Sequence, residues 1–337
     1  MRTLICDEPG RLSYIERPTP QRNEGQVLLQ VTHVGVCGTD LHAFEGKQPF
    51  FTYPRVLGHE VAARVLEPAE SSAFMAGDIV TFLPYLNCGV CLACRNGKPN
   101  CCSKLKVAGV HVDGAMGDYI AVPETNVLSG QGLAGEVLAL VEPLSIGAHA
   151  ISRAMIRKDE YVLVVGAGPI GLGIIALARL AGARIIVLDI NEGRLDFCRK
   201  QLNIEYVINA KAENVNEILS EITNGEMASV VIDATGNLAA INNAFQYISH
   251  TGRFILVGLQ KEPIIFSHPE FHKREATLMS SRNATVADFE RVIALMKSGE
   301  LNPAPFITHR VDFNAAASCF PGWLKQDSGL IKAIIGL

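Results

Sequence analysis

A strand that runs directly into a glycine-rich turn constrains the fold of this chain more than any other stretch. Residues 161–171 read YVLVVGAGPIG, an apolar strand followed by the pattern G-x-G-x-x-G and the start of a helix. A second apolar strand, Arg184–Asp189, ends in an acid 23 residues after Gly166. Glycines in this pattern permit a tight turn, the close approach of a pyrophosphate and close packing of the helix on the strand. The stretch therefore predicts a parallel α/β unit that binds a dinucleotide.

The acid and the turns at the strand ends predict which residues contact the cofactor. A carboxylate at Asp189 would hydrogen-bond a ribose hydroxyl and repel a 2′-phosphate, which favours NAD over NADP. Arg194 points the other way, because an arginine is able to bind the 2′-phosphate of NADP. Further apolar strands at 206–208, 230–233 and 253–258 each end in a small or glycine-rich turn. For Thr235 and Leu259, a role in turn geometry alone is the alternative. The predicted cofactor-binding residues are Gly166, Gly168, Pro169, Ile170, Gly171, Asp189, Arg194, Thr235, Gly258 and Leu259.

Composition and charge argue against several other classes of protein. The 30 basic and 34 acidic residues give a net charge of −4 without any basic block, so neither a nucleic acid nor a membrane surface is expected as a partner. The uncharged stretch from Tyr161 to Ala178 is long enough to be weighed as a membrane span. Its glycines and proline fit a buried strand and a glycine-opened helix better. The chain opens on strand-like sequence without a signal peptide, which predicts a cytoplasmic location.

The stretch from Cys37 to Glu60 carries three ligand types that zinc accepts readily. Cys37 follows a predicted strand, and His59 directly precedes Glu60. A thiolate, an imidazole and a carboxylate suit a catalytic zinc, which keeps about three protein ligands and an open position for water or substrate. Thr39 and His42 lie close enough to Cys37 in the sequence to move a proton from that position. The alternative is a buried cysteine near a capping His-Glu pair.

A second cluster of cysteines predicts a structural zinc site. The chain has nine cysteines, and four of them have the spacing of zinc ligands: Cys88, Cys91, Cys94 and Cys102. Four thiolates close a tetrahedral site that has no open position. Cys101 is the alternative to Cys102 as the fourth ligand, and a local disulfide is the alternative to a metal.

Glu142 is a further candidate ligand. It precedes Pro143, a residue that suits the first turn of a helix. We expect its carboxylate either to bind the catalytic zinc or to orient a residue that does. The alternative is a carboxylate near a helix N-terminus, where the helix dipole stabilises negative charge.

Together these motifs resemble the zinc-containing medium-chain dehydrogenases, the superfamily of alcohol, sorbitol and threonine dehydrogenases, over essentially the full length of the chain. The resemblance implies an α/β protein of two domains. A GroES-like distorted β-barrel would form the catalytic domain from residues 1–145 and 284–337, with the structural zinc lobe at about 85–104. A Rossmann domain, a doubly wound parallel sheet, would bind NAD through residues 146–283. The matching stretches are Cys37-Gly-Thr39-Asp40-x-His42, Gly58-His59-Glu60, the cysteines at 88–102, Glu142-Pro143 and the turn at 166–171.

The resemblance also implies the reaction, the metals and the assembly. The chain is similar to the polyol and sugar-acid branch of the family. This similarity implies that it oxidises a secondary alcohol group of a polyol or a sugar acid with NAD. Thr39 would take the alcohol proton, and His42 would pass it to solvent. A homodimer or homotetramer is expected. Two zinc ions per chain are implied, one structural and one catalytic, the latter held by Cys37, His59 and either or both of Glu60 and Glu142.

A sugar-acid substrate would bring a carboxylate that needs a cationic partner. The candidates are Lys273, Arg274 and Arg282, for each of which a solvated charge cluster or a subunit contact is the alternative. Two other functions stay open: a dehydrogenase of neutral polyols or of threonine, and a zinc- and NADH-binding sensor without catalytic activity. The sensor is disfavoured because every expected ligand and relay residue is present.

Overall fold

The computed structural model describes residues 1–49, 51–130, 132–325 and 328–337. The strands in these ranges are β1 (Arg2–Glu8), β2 (Arg11–Glu16), β3 (Gln26–Val36), β4 (Arg55–Val56), β5 (Glu60–Glu67), β6 (Ile79–Phe82), β7 (Tyr85–Leu86), β8 (Lys106–Val107), β9 (Tyr119–Pro123), β10 (Val127–Ser129), β11 (Tyr161–Val165), β12 (Arg184–Asp189), β13 (Tyr206–Asn209), β14 (Ala228–Asp233), β15 (Ile248–Leu256), β16 (Thr277–Ser280), β17 (Ile307–Asp312) and β18 (Lys332–Gly336). The α-helices are α1 (Gly38–Phe44), α2 (Leu92–Arg95), α3 (Gly135–Leu138), α4 (Val141–Ala154), α5 (Pro169–Leu180), α6 (Glu192–Leu202), α7 (Val215–Ile222), α8 (Leu238–Ala244), α9 (His268–Lys273), α10 (Val286–Ser298) and α11 (Ala316–Trp323). Short 3₁₀ turns cover Pro99–Cys101, Glu124–Asn126, Phe245–Tyr247, Ala304–Phe306 and Phe313–Ala315.

The chain folds into two compact units. The first unit consists of Met1–Glu142 together with Thr285–Leu337, and the second unit consists of Pro143–Ala284. The domain borders implied by the resemblance, 145/146 and 283/284, lie close to this division and stay predictions.

The first unit is built on mostly antiparallel sheets around β3. In the larger sheet the strands follow the order β10-β6-β5-β3-β18-β17, and β9 also pairs with β3. In a smaller sheet β1 lies between β2 and β4. Apolar side chains of β1, β3, β5 and β6 form one core with Phe313, Phe320 and Trp323 from the C-terminal part of the chain. The predicted β-rich architecture of this part of the chain is confirmed.

Three neighbouring strands bring distant parts of the sequence to one end of the larger sheet. β3 ends at Val36, one residue before Cys37, and its Gly35 pairs with Glu60, the first residue of β5. On its other side Val36 lies opposite Ala333, the second residue of β18. Lys332, at the start of β18, therefore reaches the same place as Glu60, although 272 residues separate them.

The second unit is a parallel sheet with the strand order β13-β12-β11-β14-β15-β16. Counted from β11, this is the order 3-2-1-4-5-6 of dinucleotide-binding sheets, so the predicted Rossmann fold is confirmed. The stretch weighed as a membrane span forms β11 and α5, as predicted. Among the described residues no helix is long and apolar enough to cross a membrane, and the cytoplasmic location stays a prediction. A nucleotide is expected at the carboxyl ends of these strands, called the carboxyl edge below.

Candidate active site

Cys37 lies at the junction of β3 and α1. It caps the N-terminus of α1 in an extended conformation, and its N–H donates to Oδ2 of Asp40 at 2.9 Å. Oδ1 of the same carboxylate accepts the N–H of Gly58 at 3.1 Å. Asp40 is fully buried. Its two oxygens therefore tie the segment of Cys37 to the segment of His59 and set the spacing between these two candidate ligands.

The predicted ligands of the catalytic metal come together in the structure. One ligand atom each of Cys37, His59 and Glu60 lies within 4.8 Å of the other two. Nδ1 of His59 is buried without a hydrogen-bond partner among the described residues, and it lies 3.9 Å from Oδ1 of Asp40. A sulfur, a nitrogen and a carboxylate oxygen at these separations fit a zinc ion.

The acidic side chains around His59 also favour the binding of a metal cation. Burial lowers the pKa of His59, but Asp40, Cys37 and Glu142 raise it, and the net result is a pKa well above the ordinary value. Acidic side chains thus surround a buried imidazole, and a divalent cation would balance the charge of their ionised forms. The residues therefore fit the catalytic zinc that the resemblance implies.

Lys332 belongs to this site but was not predicted from the sequence. Its Nζ donates to Oε1 and Oε2 of Glu60 at 2.6 and 2.7 Å and to the carbonyl of Val36 at 3.1 Å. Burial lowers the pKa of Lys332, but Glu60 and Cys37 raise it by more. The hint in the sequence is a lysine inside the apolar run at 331–335. The negative charge of Glu60 is therefore balanced by a buried cation of β18.

Glu142 borders the cluster. It lies in the first turn of α4 and is buried, and its Oε1 accepts the hydroxyl of Tyr85. Burial raises the pKa of Glu142; His59 lowers it and Glu60 raises it. Among the described residues, the close set of ligand atoms includes an oxygen of Glu60 but none of Glu142. The role of Glu142 as a ligand stays a prediction.

The predicted proton route lies on α1. Thr39 is half-buried one turn before His42, which is exposed. The carbonyl of His42 accepts the N–H groups of Lys47 and Gln48, so the chain after α1 folds back onto the end of the helix. The exposure of His42 suits the release of a proton to solvent. The roles of Thr39 and His42 stay predictions.

The four cysteines predicted to bind the structural zinc form a cluster, called the cysteine lobe below. Their sulfur atoms lie within 4.8 Å of one another, with 3.5 Å between Cys91 and Cys94 and 3.5 Å between Cys88 and Cys102. All four are free thiols. Backbone N–H groups lower the pKa of Cys88 and Cys91. Cys102 is buried whereas Cys101 is exposed, so the geometry favours Cys102 as the fourth ligand of a structural zinc.

The turn after β11 has a conformation that requires glycine at two of its positions. Gly166 has a φ of +97°, and a Cβ on it would lie 2.7 Å from Cγ2 of Thr235. A Cβ on Gly171 would lie 1.8 Å from the carbonyl oxygen of Gly166. Gly168 caps α5 and Pro169 opens it. The N-terminus of α5 suits a phosphate, because the first backbone N–H groups of a helix have no partner within the helix.

The other predicted cofactor residues follow the strand ends of the same sheet. Asp189 ends β12, where its Oδ2 accepts the N–H of Ala167 at 2.6 Å and its Oδ1 accepts that of Asn191 at 2.8 Å. Nη1 of Arg194 lies 3.7 Å from the place that a Cβ of Gly168 would occupy. The cofactor contacts themselves stay predictions. The remaining predicted residues of this edge are Ile170, Thr235, Gly258 and Leu259.

Gly171→Ala is expected to destabilise the second unit by about 1–3 kcal/mol and to abolish NADH binding, because the added Cβ would displace the turn. Thermal unfolding followed by circular dichroism and a fluorescence titration with NADH measure the two effects. Gly168→Ala is the control for stability, since the nearest atom to its added Cβ would lie 3.7 Å away. A Gly171→Ala protein that binds NADH as tightly as the wild type contradicts this role of the turn.

The three cationic candidates lie at opposite edges of the parallel sheet. Lys273 and Arg274, at the end of α9, pair with Glu270 at 2.8 and 2.9 Å. Nε of Arg274 also donates to the carbonyl of Ile248, the first residue of β15, which places both cations at the amino edge. Arg282 follows the end of β16 and therefore lies at the carboxyl edge. Of the three, Arg282 is the one on the side where a nucleotide is expected.

Comparisons with known proteins cover both units. An alcohol dehydrogenase GroES-like domain matches residues 23–132, and a zinc-binding dehydrogenase domain matches residues 169–298. L-galactonate-5-dehydrogenase of Escherichia coli K12 is 42% identical over 99% of this chain and 98% of that protein. Sorbitol dehydrogenase of Halalkalibacterium halodurans is 31% identical over 92% of each chain. The crystal structure of a short chain alcohol dehydrogenase (rspB) of E. coli CFT073, complexed with NADH, is 30% identical with a TM-score of 0.93 and covers 100% of this chain and 99% of its own.

Proposed function

Because the chain belongs to the zinc-type medium-chain alcohol dehydrogenase family, we propose that it oxidises a secondary alcohol of a sugar acid with NAD⁺. The substrate we propose is L-galactonate or L-gulonate, oxidised at C5 to the keto acid. The observation that carries the proposal is the cluster of Cys37, His59 and Glu60, a donor set for a catalytic zinc. The similarity to L-galactonate-5-dehydrogenase over nearly the whole chain supports the choice of substrate.

Different residues of the first unit would bind the metal, transfer the proton and position the ligands. A zinc ion held by Cys37, His59 and a carboxylate would supply a Lewis acid for the substrate hydroxyl, and a nicotinamide would accept the hydride. Oγ1 of Thr39 would take the hydroxyl proton, and the exposed imidazole of His42 on the same helix would release it to solvent. Asp40 holds the two ligand segments at a fixed spacing, so the ligand positions are set before a metal binds.

NAD rather than NADP is the proposed cofactor. Asp189 is buried at the end of β12, where its carboxylate would accept a ribose hydroxyl and repel a 2′-phosphate. The similar structure from E. coli CFT073 contains NADH. Arg194, close to the turn at Gly168, is the residue that would bind a 2′-phosphate, which makes NADP the second candidate.

Arg282 is the proposed partner of the substrate carboxylate, because it lies at the carboxyl edge. Arg282→Met is expected to raise KM for hexonates about 10–100-fold, since a hydrogen bond to a charged group contributes about 1.5–3 kcal/mol. KM for a neutral polyol should change little. Arg291→Met, on the exposed surface of α10, is the matched control. Equal KM values for hexonates in Arg282→Met and wild type exclude this role of Arg282.

A screen of sugar acids, polyols and threonine at matched concentrations, read as NAD⁺ reduction, tests the choice of substrate. The largest kcat/KM is expected for L-galactonate or L-gulonate. A neutral polyol as the best substrate would support the second candidate function, which the similarity to sorbitol dehydrogenase favours. Zinc and NADH binding without reduction of NAD⁺ by any of these compounds would contradict the proposed function and point to the sensor.

A further inference from the structure

Tyr85 connects the cysteine lobe to Glu142, which borders the set of Cys37, His59 and Glu60, called the catalytic cluster below. It opens β7, which pairs with β8 so that Tyr85 lies opposite Val107. Cys88 comes two residues after the end of β7, and Cys102 comes four residues before β8. This short ladder therefore lies at the base of the cysteine lobe and joins the backbone of Tyr85 to it. The carbonyl of Tyr85 also accepts the side-chain N–H of Asn126 at 3.1 Å.

The side chain of Tyr85 reaches from that ladder to the carboxylate of Glu142. Its hydroxyl donates to Oε1, and both residues are buried. The ring packs edge-on against Phe289 with 6.3 Å between ring centroids. A buried hydroxyl needs a hydrogen-bond partner, and this one finds it in the carboxylate whose charge acts on His59.

Glu60 belongs to the catalytic cluster and Glu142 borders it, and the two carboxylates have different partners. Lys332 donates to both oxygens of Glu60 and brings a positive charge. Tyr85 donates to one oxygen of Glu142 and brings no charge. A hydroxyl therefore orients Glu142 while it leaves the negative charge of that carboxylate available to a cation.

We propose that Tyr85 is a positioning residue for the catalytic metal: its hydroxyl orients Glu142, and the cysteine lobe holds Tyr85 in place. This inference rests on the metal site of the proposed function. If the proposal holds, the zinc affinity of the catalytic cluster depends on the cysteine lobe, and the side chain of Tyr85 transmits this dependence.

Tyr85→Phe in the full-length protein tests the first half of the proposal. The substitution keeps the ring against Phe289 and removes the hydroxyl. Zinc affinity of the catalytic cluster, measured by competition with a chromophoric chelator, is expected to fall about 10–100-fold. The visible spectrum of the Co²⁺-substituted cluster should also change. Tyr14→Phe is the matched control, because Tyr14 donates its hydroxyl to the carbonyl of Phe313 elsewhere in the same unit. Wild-type affinity and an unchanged Co²⁺ spectrum in Tyr85→Phe overturn the proposal.

A double-mutant cycle with Cys91→Ser tests the second half. Cys91→Ser is expected to weaken zinc binding at the catalytic cluster in the wild-type background and to have a much smaller effect in the Tyr85→Phe background. Equal effects in both backgrounds mean that the lobe does not act through Tyr85. If Cys91→Ser prevents folding, Cys94→Ser takes its place in the same cycle.

Both measurements use the metal alone, so they give a result whichever alcohol the enzyme oxidises. If no sugar acid is oxidised but Tyr85→Phe binds zinc more weakly than the wild type, the proposed substrate is wrong and the role of Tyr85 is supported. A wild-type protein that binds zinc in the cysteine lobe and none at Cys37, His59 and Glu60 overturns both the proposed metal site and the role of Tyr85.

Discussion

Cys37→Ser is expected to lower the rate of alcohol oxidation by at least about 10³-fold, because metal Lewis-acid stabilisation contributes several kcal/mol to such a reaction. The sulfur of Cys37 is one of three ligand atoms within 4.8 Å of one another. The nucleotide turn belongs to the other unit, so NADH binding should stay close to that of the wild type. Steady-state kinetics measures the rate, an NADH titration measures cofactor binding, and metal analysis measures the zinc that the variant retains.

Cys6→Ser is the matched control for this substitution. Cys6 is buried in the same unit, and burial raises the pKa of its thiol to about 11, so the thiol stays protonated at neutral pH. Its Sγ donates to the carbonyl of Glu8, a hydrogen bond that a serine hydroxyl is able to replace. Cys6→Ser should keep both zinc and activity. Full activity and unchanged zinc content in Cys37→Ser would contradict the proposed metal site.

Lys332→Met is expected to destabilise the first unit by about 3–5 kcal/mol, the usual cost of leaving one partner of a buried ion pair unpaired. Glu60 is fully buried and receives both short hydrogen bonds from Nζ of Lys332. The single tryptophan of the chain, Trp323, is buried in the same unit, so its fluorescence reports unfolding there. Urea titration of metal-free protein gives the free energy of unfolding without a contribution from metal binding.

Two further variants separate the ion pair from a general effect of losing a lysine. Lys297→Met, on the exposed surface of α10, should change the free energy of unfolding by no more than about 0.5 kcal/mol. Glu60→Gln combined with Lys332→Met should recover much of the lost stability, since no charge is then left unpaired. A Lys332→Met protein as stable as Lys297→Met would show that the pair has no net stabilising effect.

The parts of the site that are local in the sequence were predicted, because spacing alone encodes them. The cysteine lobe spans residues 88–102, and the turn with its preceding strand spans residues 161–171. Cys37 and His59 come from two segments that β3 and β5 hold side by side, and their residue types alone make them candidate zinc ligands. The parallel sheet followed from apolar strands that alternate with helices.

The parts that were not predicted depend on pairings between distant segments. Lys332 reaches Glu60 because β18 pairs with β3, and a lysine in an apolar run carries no sign of its partner. Tyr85 reaches Glu142 across 57 residues for the same kind of reason. Charge alone also does not reveal which edge of a sheet a residue occupies, so the sequence does not separate Lys273 and Arg274, at the amino edge, from Arg282.

Anomalous diffraction at the zinc absorption edge, from crystals of the full-length protein, tests the catalytic metal site most directly. Two peaks per chain are predicted: one inside the cysteine lobe and one bounded by Cys37, His59 and a carboxylate oxygen of Glu60 or Glu142. The same map identifies which carboxylate binds. A single peak inside the cysteine lobe, from a protein that oxidises alcohols at full rate, would contradict a catalytic zinc at Cys37.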